Sequence, residues 1–176
     1  MENKYKLIEE NINASNYKEA RQLILKTLLG YPKDSWLLDR LSLCYYQEDD
    51  YNSALVYAEQ ALLIDPDDPL ILWDHGAALE MLARYDEAII SYERILDMDI
   101  EYIAYGDYGE GLRWAKSLYN DTRFAIALCF KEIGEFEKAI SFMETHIANR
   151  QRGMPSVCSI RKVRNSFEKL KKSLMS

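Results

Sequence analysis

Apolar residues recur at intervals of three and four along most of the chain, the spacing that gathers them on one side of an α-helix. Leu38, Leu41, Ser42 and Tyr45 line one such face, and Ala54, Tyr57, Ala58, Ala61 and Leu62 line the next. Between helices, Asp65-Pro66-Asp67-Asp68-Pro69 stops one and starts another, because proline cannot continue a helix and acidic residues suit a helix N-terminus. From Gly111 to Glu132 the stripe Leu112, Ala115, Leu118, Tyr119, Thr122, Ala125, Ile126, Cys129 and Phe130 predicts one helix of about 22 residues, about 33 Å long. Gly153 and Pro155 break the chain again. Val157, Ile160, Val163, Phe167, Leu170 and Leu174 then predict an amphipathic helix over 157–174, with Ser156 as its N-cap and basic residues on its other side.

The helical text repeats. Asn16-Tyr17-Lys18-Glu19-Ala20, Asp50-Tyr51-Asn52-Ser53-Ala54 and Arg84-Tyr85-Asp86-Glu87-Ala88 follow one another at 34 residues, as do Pro32 and Pro66. Glu135-Phe136-Glu137-Lys138-Ala139 comes 51 residues after the third copy, which is one period plus an insertion of 17. Ala20, Ala54, Ala88 and Ala139 carry only a methyl group and so allow a paired helix to approach closely. Gly76 does the same in the third copy, where the first two have Ile8 and Ser42.

This pattern resembles the tetratricopeptide repeat, a helix–turn–helix of 34 residues whose Leu, Gly/Ala, Tyr, Ala and Pro positions match those just quoted. The resemblance implies an all-α chain, a right-handed α-solenoid. Its repeats fall at about 1–34, 35–68, 69–102 and 120–151, with an insertion at 103–119 and a capping helix at 157–174, all in one domain. The second repeat is nearly ideal; the third has Ile100 where a proline is usual.

The resemblance also implies a function. In this family the first helix of each repeat lines a concave groove that holds a peptide or another protein. Helical spacing puts Trp36, Asp39, Arg40, Leu43 and Tyr46 on that side in the second copy, and Leu70, Trp73, Asp74, Ala77 and Met81 in the third. Tyr5 and Glu9 join from the first, and Phe124, Leu128 and Lys131 from the fourth. Aromatic residues with an arginine are the composition of an interface hot spot. Trp36 and Trp73 could equally serve to pack neighbouring helices. Co-chaperone members that grip a C-terminal carboxylate use Lys, Asn and Arg at positions that here hold Tyr5, Glu9, Arg40, Leu70 and Asp74. A carboxylate clamp is therefore not expected, and Glu9, Asp39 and Asp74, read as exposed acids, suit a basic peptide.

Charge sharpens the picture. The formal net charge is −7, but residues 1–149 hold 14 basic and 28 acidic side chains, while residues 150–176 hold 8 basic and one acidic. Such a basic end can serve nucleic acid or acidic lipid, or it can be held by the acidic body itself. The second alternative needs no partner, so nucleic acid is not the expected ligand. The three cysteines, Cys44, Cys129 and Cys158, fit no metal or redox spacing, and neither do His75 and His146. Gly106-Asp107-Tyr108-Gly109-Glu110-Gly111 lacks the preceding strand of a phosphate loop and is expected to link helices. No segment reaches the roughly 20 apolar residues of a membrane span. Met1-Glu2-Asn3-Lys4-Tyr5 lacks the layout of a signal peptide. The expectation is a cytoplasmic, non-enzymatic protein-binding scaffold without a cofactor. The alternative is a structural subunit that self-associates as a homo-oligomer or fills its own groove.

Overall fold

The computed structural model describes residues 2–106 and 109–174, and the side chains from Lys4 onward. These residues form helices and turns, with no strand among them. Two compact units divide the chain, residues 1–83 and residues 84–176.

The first unit holds α1 (Glu2–Asn13), α2 (Tyr17–Leu28), α3 (Ser35–Gln47), α4 (Tyr51–Leu62) and α5 (Pro69–Met81), each packed on its neighbour in sequence. Ile8, Ala20, Ile24, Leu37, Leu41 and Cys44 close one core, and Leu38, Ala61 and Ile71 a second. Ala20 and Ala54 are fully buried, as close helix packing demands. Ser42, in the small-residue position, uses its hydroxyl: Oγ donates to the Ala54 carbonyl at 2.8 Å, inside the α3–α4 contact. Aspartates one period apart start the first helices of successive pairs. Asp34 accepts from the Leu37 N–H at 3.0 Å, and Asp68 from those of Leu70 and Ile71 at 2.7 and 3.2 Å.

The turn inside each pair keeps the same register. Ser15, Asp49, Ala83 and Gly134 all have positive φ, between 58° and 84°, and each stands two residues before the repeated aromatic. In three of these turns the next N–H reaches back five residues, from Asn16, Asp50 and Glu135 to the carbonyls of Asn11, Tyr45 and Phe130. This left-handed stop satisfies the carbonyls that the helix end would otherwise leave bare.

The second unit holds α6 (Tyr85–Asp97), α7 (Ile100–Tyr105), α8 (Leu112–Glu132), α9 (Phe136–Gln151) and α10 (Ile160–Leu174). The long helix appears as expected, at 21 residues. The short α7 inside the insertion was not expected; Asp99 caps it by accepting from the Glu101 N–H at 2.6 Å. Asp107 and Tyr108 of the glycine loop lie outside the described residues. At Gly109 any side chain would collide with the Ala104 backbone, so the loop there needs glycine. Helices α6, α7 and α9 all pack on α8, which buries it on more sides than its apolar stripe implies. Asn120, Asp121 and Thr122 are buried along with Ala115, Leu118, Ala125 and Ile126.

Candidate functional site

The residues expected to bind a partner fall mainly on α1, α3 and α5 of the first unit. Tyr5 of α1 donates its hydroxyl to Asp34 Oδ2 at 2.6 Å, and its ring centre lies 5.0 Å from that of Trp36. The hydrogen bond to the Asp34 carboxylate, with burial, pushes the Tyr5 hydroxyl up to about 12. Asp34 thus caps α3 and fixes an aromatic beside it with the same carboxylate. Tyr5, Trp36 and Leu43 pack against the edge of the first core. The Arg40 guanidinium lies 5.8 Å from the Trp36 ring. Tyr46 meets Tyr51 edge to face at 5.3 Å. Trp36, Tyr46, Trp73 and Ala77 are half-buried, and Met81 is 48 % exposed.

Beside these aromatics sits a compact charged group. Asp39 is only 2 % exposed, which corrects the expectation of an exposed acid. Its Oδ2 receives Arg40 Nη2 at 2.5 Å, and Arg40 Nη1 lies 3.5 Å from Glu9. Asp74 lies close enough to Asp39 and Arg40 to feel the charge of both. Burial raises both above the ordinary carboxylate range, and mutual repulsion raises Asp74 further, while Arg40 pulls both back. Three carboxyl groups surround one guanidinium, so acid is in excess within the group. Asp39 Oδ1 and Arg40 Nε are buried without a hydrogen bond.

The sequence of residues 35–68 matches the family model of the tetratricopeptide repeat, the same boundaries that the periodicity picks out. Residues 35–68 are a tetratricopeptide repeat. No match was found among the curated proteins. Solved structures share the fold at low identity. A crystal structure of MamA is 17 % identical with a TM-score of 0.64, over 94 % of this chain and 92 % of that one. A MamA fragment from Desulfovibrio magneticus RS-1 is 13 % identical with a TM-score of 0.67, over 97 % and 93 %. The Sgt2 tetratricopeptide domain from Aspergillus fumigatus is 21 % identical with a TM-score of 0.54, over 69 % and 76 %.

The fourth helix pair departs in part from the expected binding face. Phe124 is 2 % exposed and packs with Ala127, Met143 and Val163; Leu128 is partly buried against the same cluster, together with Cys158 and Phe167. Val163 of α10 closes over Phe124, whereas Leu128 keeps part of its side chain exposed. Arg40, at the position where clamp members have Asn, is engaged by Asp39 and Glu9.

Sequence reasoning missed Asp121. This buried carboxylate accepts from the Ser156 hydroxyl, from Ser117 Oγ at 3.2 Å, and from the Val157 and Cys158 N–H groups at 2.9 and 3.4 Å. An aspartate in mid-helix reads as a solvated residue; only the tertiary fold shows what it holds. Ser156 accordingly does not cap α10, which starts at Ile160, and Val157 is 87 % exposed while only its N–H is engaged. His146 sits in the same unit. Its Nδ1 lies 2.9 Å from the Asn120 carbonyl, and burial pushes the imidazole below its ordinary value. Burial also pushes the Cys44 and Cys158 thiols up to about 11, which suits unreactive thiols.

Proposed function

We propose that the chain is a non-enzymatic protein-binding scaffold and that the α1, α3 and α5 face of residues 1–83 receives a segment of a partner protein. The observation that carries this is the row of half-buried aromatics, Tyr5, Trp36, Tyr46 and Trp73, set beside a polar group whose charges are largely compensated. Rigid rings fixed by Asp34 and by the core lose little freedom when a ligand arrives. Leu43, Ala77 and Met81 supply apolar contact between them. The excess negative charge among Glu9, Asp39, Asp74 and Arg40 favours a partner that brings a basic residue next to an aliphatic or aromatic anchor.

Titration of the full chain with basic and acidic peptide pools, followed by tryptophan fluorescence, tests this. Tighter binding of the basic pool, lost in a Trp36→Ala/Trp73→Ala double variant that keeps its helical content, is the expected result. Tighter binding of the acidic pool overturns the charge preference. Equal binding by the double variant overturns the site.

A further inference from the structure

Helix α10 is held on one side and free on another. Val163 and Leu170 are buried, Phe167 is half-buried, and the Asp121 carboxylate ties down the residues just before the helix. Arg161, Lys162, Asn165, Ser166 and Lys169 occupy an arc of about 140° turned away from that stripe. With Ser159 they line a surface depression of about 430 Å³. Every lining side chain can donate a hydrogen bond, three carry positive charge, and none is a carboxylate. Among the described residues Arg161 and Lys169 have no ion-pair partner, whereas Lys171, on the docked flank, pairs with Glu144 at 3.2 Å.

We propose that this face of α10 is a second docking site, for a short acidic segment of a protein partner. Charge complementarity sets the sign of the partner, and three features set its class. A nucleic acid wants rings to stack its bases, and no aromatic residue lines the depression. Phe167 is tucked beneath Lys171, whose ammonium lies 4.3 Å from the ring centre. A long phosphate chain would also run onto residues 84–149, where 13 acids face 7 bases. A membrane needs an apolar side to insert, and the apolar side of α10 is already spent on the fold. A short acidic segment requires neither. From Arg161 to Lys169 is about 12 Å along the helix, the reach of three or four extended residues. The site is independent of the aromatic face on residues 1–83, so either can fail without the other.

Fluorescence anisotropy of a labelled oligoglutamate peptide with the full chain tests the proposal. Binding that weakens with salt is expected, and Arg161→Gln/Lys169→Gln should weaken it by about tenfold or more. Lys18→Gln/Lys26→Gln alters the net charge equally at exposed positions elsewhere and should leave binding unchanged. Ser166→Glu, which sets a carboxylate in the depression, should weaken binding as the first variant does, and it decides the matter if that variant melts early. The proposal is overturned if both double variants bind alike, if oligoglutamate does not bind, or if an oligouridylate or phosphatidylserine vesicles bind in its place.

Discussion

Asp39 and Asp74 each hold a proton more readily in the folded chain than in an unfolded one, because burial penalises their charged forms. Their raised values mean that the folded state binds more protons than the unfolded state between the ordinary carboxylate value and the raised one. Stability in the first unit therefore rises as pH falls through that window. Asp74→Asn offers Asp39 a hydrogen-bond donor and removes the charge penalised by burial. It should raise the melting temperature at neutral pH and flatten its dependence on acidification. Asp39→Asn removes the close partner of Arg40 and should lower the melting temperature. The ordering of the two variants in thermal denaturation checks the assignment.

At the scale of elements, the turns and the last helix make the clearest demands. Ala83 adopts a left-handed conformation that costs an L-residue roughly 1–2 kcal/mol, whereas Gly134 fills the same register without that cost. Ala83→Gly should then stabilise by about 0.5–1 kcal/mol after the added freedom of the unfolded chain, and Gly134→Ala should destabilise. Chemical denaturation reads both signs. Ala54→Leu should cost about 1–3 kcal/mol, because the methyl group is fully buried where α3 meets α4. Asp121→Ala strips the Ser156, Val157 and Cys158 groups of their acceptor and should destabilise by about 1–3 kcal/mol. Truncation after Arg152 exposes Phe124, Met143 and their neighbours and should cause aggregation in light scattering.

The helix pairs, the long α8 and the apolar stripe of α10 were legible because 3.6-residue periodicity and a 34-residue repeat are written in single residues. What α8 carries on its other sides was not. Asn120, Asp121 and Phe124 lie off its apolar stripe, and only α9 and the chain end explain their burial. Asp39 escaped for the same reason, since a carboxylate on a helix reads as solvated until its neighbours Arg40 and Asp74 are known. Taken whole, the molecule answers acid in two opposite ways. His146 has a lowered value, so its contribution is complete above the unfolded histidine value of about 6.5 and is lost as pH falls through the folded one. Acidification from neutral pH should thus strengthen residues 1–83 and weaken residues 84–176. Trp36 and Trp73 report the first unit and Trp114 the second, so variants that keep one set should show transitions moving in opposite directions.

The tie between Asp121 and the segment before α10 has a consequence for the lifetime of the chain. Arg152 is exposed, and a trypsin-like protease that cuts after it needs several residues on either side in extended form. Downstream, those residues are the ones that Asp121 grips. Cleavage must therefore wait for the tie to let go, and the digestion rate becomes a clock for that release. The intact chain should be nicked there slowly, and Asp121→Ala quickly, under conditions where both are otherwise folded.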